Sequence, residues 1–411
     1  MKDILRTLLI LIIATLTFSC SDDKTLIPSV IHTPEELTNF LEDICNDSKT
    51  PGFAISIVKD ESIIYKNAFG SANIEASINY TNNTAQPIAS ISKTFIAAAI
   101  IKASSQGYFT LETNINDVLP FEIINPKLSS TEIKIKHLVT HTSSIVDENS
   151  FYFNAYHILL NEDLTTDGSQ VLQHNLGFSQ RDQIPLETFL TNYFTPSELG
   201  YSEDNFSSAP TGSYWQYSNI ASSLAAFIVE YVSGMSFEEY VTTYVLQPLE
   251  MNQTSYQFSD FNDESLATLY WNKNTPLPKY ENDSYPDGGL ISTNNDMSKY
   301  LLDMIKGYNG NSSLLFEENS YQQLFDPILP NGMVPTLYGK NNGTFWFHNN
   351  NYIEHSGSDP GTTCLLRFSK SGDSGFLILT NSDASTSNHK SEWFTFQIKI
   401  IAAINAFLAT Q

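Results

Sequence analysis

Basic residues are scarce in this chain: 21 Lys and Arg stand against 45 Asp and Glu in 411 residues, a formal charge of −24. A protein so short of cations cannot neutralise a phosphate backbone, so nucleic acid is excluded as a partner. The surplus of acid reads first as solubility. Cysteine is rarer still, with three residues, and a disulfide framework is excluded. Cys45 and Cys364 read either as buried free thiols or as one pair. No phosphate-cradling glycine loop, no dinucleotide fingerprint and no internal repeat is present. What remains, 41% hydrophobic and 16% charged, is the composition of a globular protein long enough for one bilobed unit or two domains.

The N-terminus has the pattern of an export signal over 1–19. Lys2 and Arg6 flank the start of an apolar run from Ile4 to Phe18, too short to span a bilayer comfortably and ending in small or polar residues. The run closes on Leu16-Thr17-Phe18-Ser19-Cys20, which resembles the lipobox of bacterial lipoproteins and implies lipidation of Cys20, with Phe18 standing where a small residue is commoner. Residues 20–32 then read as a lipidated tether. These expectations place the protein in the cell envelope, on the periplasmic face or the cell surface, with membrane contact through its N-terminal lipid.

Thr33-Pro34-Glu35-Glu36 starts a helix, with Thr33 as cap, proline in the first turn and Leu37, Phe40, Leu41 and Ile44 at helical spacing. Strands follow at 52–59 and about 62–69. Helical patterns then dominate to about residue 285, at 91–105, 133–140, 186–194 and 219–232. The polar, aromatic stretch 146–215 shows few clear elements and reads as an insertion over a site. After Gly288-Gly289 come a helix at 294–307, strands at 344–354, 362–369 and 375–380, and a closing helix at about 391–408. Strands at both ends and helices between them predict an α/β (α+β) fold over 33–408: an antiparallel sheet lobe, 33–85 and 286–408, flanked by the first and last helices, with a mainly helical lobe, 86–285, inserted.

Three short motifs carry chemistry. Ser90-Ile91-Ser92-Lys93 falls where β-type sequence gives way to the helical run Ser92 to Ala103, so that Lys93 and Ser90, three residues apart at a first turn, share one face. That is a nucleophile beside a base. Ser-x-x-Lys also occurs at Ser21/Lys24, Ser56/Lys59 and Ser387/Lys390, and about two matches arise by chance in a chain of this composition. Context separates them: Ser56 and Lys59 lie on a strand, where positions three apart point to opposite faces, and the other two fall in polar segments, Ser387/Lys390 in a loop before the last helix. Tyr217-Ser218-Asn219 precedes an apolar helix; its phenol can exchange protons with a serine and its amide can hold a carbonyl, although a turn tyrosine followed by a capping asparagine has the same pattern. His355-Ser356-Gly357-Ser358, the one His-x-Gly in the chain, ends the run Phe345 to Glu354. A glycine there lets a substrate approach the backbone, and the next amide can serve an oxyanion together with the amide of Ser90.

In this order and context the three motifs resemble the signature elements of the penicillin-recognising serine hydrolases, in the branch of class C β-lactamases, D-alanyl-D-alanine carboxypeptidases, D-aminopeptidases and related esterases. Supporting stretches are Lys136-His137-Leu138-Val139-Thr140-His141-Thr142-Ser143, Gln247-Pro248-Leu249-Glu250-Met251 and Gly288-Gly289-Leu290-Ile291-Ser292-Thr293. The resemblance implies a β-lactamase/transpeptidase-like fold, with Ser90 as acylated nucleophile, Lys93 as its base and Tyr217 moving protons to and from the leaving group. It further implies that Asn219, His355, Gly357 and Ser358 bind substrate. His355 stands where class C β-lactamases have lysine, and Ser144 where glycine commonly follows Thr-Ser.

His137 and His141, spaced i and i+4 within a helical pattern, have the spacing of zinc ligands, but Leu138 stands where a zinc protease needs glutamate, so no metal and no cofactor is expected. The expected activity is that of an exported serine hydrolase on small amides or esters, D-alanyl-D-alanine-type peptides or β-lactams among them. The alternatives are an esterase on non-peptide substrates and a non-catalytic binding or sensor protein with the same fold.

Overall fold

The computed structural model describes residues 30–384 and 386–411; the signal and lipidation expectations for 1–19 and Cys20 lie outside them. Five helices and five strands frame the molecule: α1 (Pro34–Asp47), β1 (Gly52–Lys59), β2 (Ser62–Asn73), α2 (Ser92–Ser105), α3 (Asn219–Ser233), α4 (Asn294–Tyr308), β3 (Tyr352–Asp359), β4 (Thr362–Ser369), β5 (Ser374–Thr380) and α5 (Ser387–Leu408). The central sheet is antiparallel, in the order β3-β4-β5-β1-β2, extended at one edge by the short strands Phe347–His348 and Asn341–Asn342 and at the other by Ile78–Asn79. The pairing of β1 with β5, Phe53 opposite Thr380 through Lys59 opposite Ser374, joins the two ends of the chain.

Period-two alternation sorts the strand residues between two cores. Phe53, Ile55 and Ile57, with Leu365, Phe376 and Ile378, face α1 and α5 and pack on Leu37, Leu41, Ile400, Ile404 and Phe407. Their neighbours Val58, Cys364, Leu366, Leu377 and Leu379 join the larger core built around α2, α3 and α4. Cys45 and Cys364 therefore belong to different cores, and both are free and buried. α1 begins as its sequence requires, the Thr33 hydroxyl accepting from the Glu36 amide at 3.1 Å.

Helix α2 has no polar face: every residue from Ser92 to Ile101 is buried, as befits a helix surrounded by protein on all sides. Phe95 stacks on Tyr300 of α4 at 4.3 Å, and the Tyr300 hydroxyl donates to the Thr94 carbonyl at 3.0 Å. These contacts hold the first turn of α2 against α4.

Four expectations need correction. The run 344–354 is not one strand: Phe345 has φ +54°, and Asn349-Asn350-Asn351 make a turn in which the Asn349 side chain accepts from the amides of Asn351 and Tyr352 at 2.9 and 2.8 Å. Three successive asparagines favour that turn over an extended strand, so His355 lies inside β3 rather than at the end of its strand. Ser387/Lys390 lies in the first turn of α5, capped by the Thr386 hydroxyl, not in a loop. Residues 146–215 hold helices Asn149–Asn154, Asp167–Gln170 and Leu186–Phe194, and Tyr156–Ile158 pairs with Ser179–Gln180 and with Tyr280–Asn282. The helix at 186–194 is the one its spacing predicts, and the other elements are too short to leave a period in the sequence. Finally, His137 and His141 do not share a helix, because Ile135–Val139 ends before His141, whose φ is +57°.

Candidate active site

Ser90 sits in a single 3-10 turn, Ala89–Ile91, running directly into α2. Ala89 has φ +48°, a left-handed conformation uncommon for a residue with a side chain, which lifts the next residue out of the strand direction. One turn on, the fully buried Lys93 brings Nζ to 3.3 Å from Ser90 Oγ, while Nζ also donates to the Asp287 carbonyl at 2.8 Å. The matching serine on β1 is employed otherwise: Ser56 donates to Asn294 Oδ1 at 2.7 Å and Lys59 pairs with Asp373 at 3.1 Å.

Tyr217 closes the group from the third side. Its phenol is hydrogen-bonded to Ser90, and its ring lies with its centroid 5.2 Å from Lys93 Nζ. The helix cap belongs to Ser218, whose hydroxyl accepts from the Ala221 amide at 3.0 Å. Asn219 is the first residue of α3, buried, and neither its amide oxygen nor its amide nitrogen has a hydrogen-bond partner. A buried amide with both ends unsatisfied costs several kcal/mol, roughly 1–3 for each group, unless something binds it.

His355, Gly357 and Ser358 arrive on β3. A Cβ on Gly357 would sit 2.4 Å from the Ile88 carbonyl oxygen and 3.0 Å from the Ser90 amide nitrogen. The missing side chain thus lets the backbone of the nucleophile's turn, rather than a substrate, approach the strand, which sets β3 directly against the turn that carries Ser90. His355 is buried, its Nδ1 donating to the Ser356 carbonyl at 2.8 Å and its Nε2 left without a partner. All three motif-bearing stretches therefore meet: Ser90 and Lys93, Tyr217 and Asn219, and the β3 residues surround one cleft.

Burial sets the electrostatics. It pushes the Lys93 amine below the ordinary lysine value, against the pull of Asp287, Asp147 and Asp359, and it pushes the Tyr217 phenol well above ten, against the Ser90 hydrogen bond. Both movements favour uncharged groups, an amine and a phenol flanking one hydroxyl. Burial, then the neighbouring Lys93, lowers His355 to about 3, so its imidazole is neutral.

The sequence reading missed the carboxylates around this centre. Asp147 is half-buried and accepts from Ser218 Oγ at 2.7 Å, from the Asn219 amide at 2.7 Å and from the Ile220 amide at 3.1 Å, so it anchors the N-terminus of α3 where an anion is best placed. Asp287, with Oδ1 3.7 Å from Lys93 Nζ, accepts from Tyr152 at 3.0 Å, Ser284 at 2.6 Å and Ser223 at 3.2 Å. Asp359 accepts from Tyr156 at 2.8 Å. The only signals were positional, since Asp147 follows Thr142-Ser143, Asp287 precedes Gly288-Gly289 and Asp359 follows His-Ser-Gly-Ser. His141 also supports the cleft: its ring packs on Tyr217 at 4.5 Å and its Nδ1 accepts from the Ser218 amide at 3.2 Å. Among the described residues, no group of three or more His, Cys, Asp or Glu has the geometry of a metal site.

Residues 37–396 match the family model described as Beta-lactamase. Among curated proteins, Protein flp of Staphylococcus aureus strain MW2 is 22% identical over 353 residues, which make up 84% of this chain and 63% of flp. The chain thus spans less than two thirds of that relative. Penicillin-binding protein 4* of Bacillus subtilis strain 168 is 26% identical over 195 residues, 47% of this chain and 35% of that protein. Two solved structures share the fold. An octameric penicillin-binding protein homologue from Pyrococcus abyssi has a TM-score of 0.67 at 23% identity, covering 89% of this chain and 77% of that one. A penicillin-binding protein from Bacillus halodurans has a TM-score of 0.62 at 23% identity, covering 90% and 98%.

Proposed function

The chain belongs to the beta-lactamase family, and from that premise we propose that it hydrolyses small amides or esters through an acyl-enzyme on Ser90. The observation that carries this reading is the 3.3 Å approach of a buried, charge-disfavoured lysine amine to a serine hydroxyl at the start of a helix. Neutral Lys93 takes the hydroxyl proton as Oγ attacks the carbonyl, and the Ser90 and Ser358 amides receive the oxyanion. The Tyr217 phenol, kept protonated by burial, hands a proton to the leaving group and is restored from Lys93. Water then releases the acyl group by the reverse route. Asn219, with its amide unsatisfied, is positioned to pair with the substrate's own amide or carbonyl.

The substrate class follows from what β3 offers. A D-alanyl-D-alanine peptide or a β-lactam carries a carboxylate beside the scissile bond, and neutral His355 supplies no fixed cation for it. That favours ester and amide substrates without such a carboxylate, and slow β-lactam turnover. Labelling with a fluorophosphonate or a fluorescent penicillin, with Ser90→Ala as control, tests the nucleophile; labelling that survives the substitution would falsify it and leave a binding protein as the better reading. Relative turnover of a D-alanyl-D-alanine peptide and a p-nitrophenyl ester ranks the substrates. Export and lipid attachment at Cys20 are proposed on the pattern of residues 2–24 alone, and metabolic labelling with a clickable fatty acid, lost in Cys20→Ser, tests them.

A further inference from the structure

A buried carboxylate beside a lysine ordinarily closes a charge-assisted hydrogen bond of about 2.7–2.9 Å. Asp287 does not. It is the only carboxylate within 4 Å of Lys93 Nζ among the described residues, yet its Oδ1 stands 3.7 Å away, although both side chains are almost wholly buried. The amine directs its hydrogen bonds to the Ser90 hydroxyl at 3.3 Å and to the Asp287 main-chain carbonyl at 2.8 Å.

Uncharged hydroxyls occupy the carboxylate instead. Oδ1 accepts from Tyr152 at 3.0 Å and Oδ2 from Ser284 at 2.6 Å, with Ser223 Oγ 2.7 Å behind the Ser284 hydroxyl. Tyr152 is buried and comes from the helix Asn149–Asn154, inside the stretch 146–215. Its ring meets Tyr156 edge-on at 5.7 Å, and Tyr156 donates to Asp359 at 2.8 Å. The other titratable neighbours of Lys93 are likewise engaged by neutral groups or are neutral themselves. Asp147 accepts from Ser218 and from the first amides of α3, Asp359 accepts from Tyr156, Tyr217 is a protonated phenol, and burial keeps the imidazoles of His141 and His355 uncharged.

We propose that Tyr152, backed by Ser284, is a positioning residue for the base: it holds the Asp287 carboxylate off the Lys93 amine, so that the amine faces Ser90 instead of closing an ion pair. This role deepens the acyl-enzyme reading and rests on it for the rate, though not for the state of the amine. Without the Tyr152 hydroxyl, Oδ1 loses its donor, and the nearest cationic donor is the ammonium form of Lys93; closing the gap stabilises that form and removes the base. Without the carboxylate, the amine loses the nearest charge that favours its protonation. Substitutions at the two ends of one hydrogen bond therefore act in opposite directions.

The test is the acid limb of Ser90 labelling by a fluorophosphonate in the full chain. Its midpoint should rise by at least about half a pH unit in Tyr152→Phe and fall by at least about one unit in Asp287→Asn, which keeps the main-chain carbonyl. A midpoint does not depend on the fraction of protein that is folded, so a variant of poor yield can still be read; where Tyr152→Phe yields none, Ser284→Ala should raise the midpoint in its place. Tyr156→Phe takes a donor from Asp359 rather than from Asp287, and should move the midpoint less than Tyr152→Phe. A midpoint that does not rise in Tyr152→Phe, one that does not fall in Asp287→Asn, or an equal rise in Tyr156→Phe overturns the proposal. The NMR signal of Lys93 Cε in isotope-labelled protein, identified by its loss in Lys93→Met, reads the amine directly. Opposite shifts in that titration while wild-type Ser90 resists the reagent leave the positioning role standing and remove the acyl-enzyme reading. Labelling at Ser90 with midpoints unmoved in both variants does the reverse.

Discussion

The two faces of the central sheet are built for different ends. Behind it, α1 and α5 press Leu37, Leu41, Ile400, Ile404 and Phe407 onto Phe53, Ile55 and Ile57, a mainly apolar layer. In front, beside an even larger apolar core, lie Lys93, Asp147, Asp287, His141 and His355, and several polar atoms are left without partners: both amide atoms of Asn219, Nε2 of His141 and Nε2 of His355. Unpaired buried polar atoms lower stability. The four that meet where three distant motifs converge are groups left ready for a ligand.

That contrast can be broken or sharpened by substitution, read as the rate of turnover of an activated ester. Ser90→Ala on the front face should lower it by at least about 1,000-fold with little change in stability, because only the attacking atom is lost. Gly357→Ala should lower it by roughly 100-fold, since its Cβ would press on the Ile88 carbonyl and the Ser90 amide and displace the turn by a fraction of an ångström to an ångström. Asp147→Asn should give a smaller loss, of order tenfold, with about 2 kcal/mol of destabilisation, as an amide NH₂ then faces amide donors at the start of α3. Ile404→Ala, behind the sheet, should cost about 3 kcal/mol in denaturant unfolding and leave the rate of the folded protein within about twofold. If Ile404→Ala slowed turnover as much as Asp147→Asn, the two faces would not be functionally separate.

Legibility in the sequence followed the range of the interactions. Strands 52–59 and 362–369 and helix 186–194 match the structure to the residue, and the start of α3 is right, because alternation, apolar spacing and caps act over a few residues. The positions of Ser90, Lys93, Tyr217, Asn219 and His355 in one cleft came from motif order. What stayed hidden was non-periodic or non-local. The asparagine turn at 349–351 interrupts an apparently continuous strand, and His141, itself left-handed, lies past the end of the helix at 135–139. Asp147, Asp287 and Asp359 look in sequence like any other acidic residue of a chain with 45 of them, and only the folding of residues 146–215 against 280–288 brings Tyr152 and Tyr156 to Asp287 and Asp359.

The central claim is that Lys93 acts on Ser90 as an uncharged amine, and the pH dependence of the rate of Ser90 labelling by a fluorophosphonate tests it most directly. With the Lys93 pKa lowered by burial, the reactive form is the one that predominates above that pKa. The rate should be highest on the alkaline side and fall towards acid as Lys93 gains its proton, and Lys93→Met should be slow at every pH without that limb. A wild-type rate that stays flat across neutral and acid pH while the protein remains folded would contradict the account.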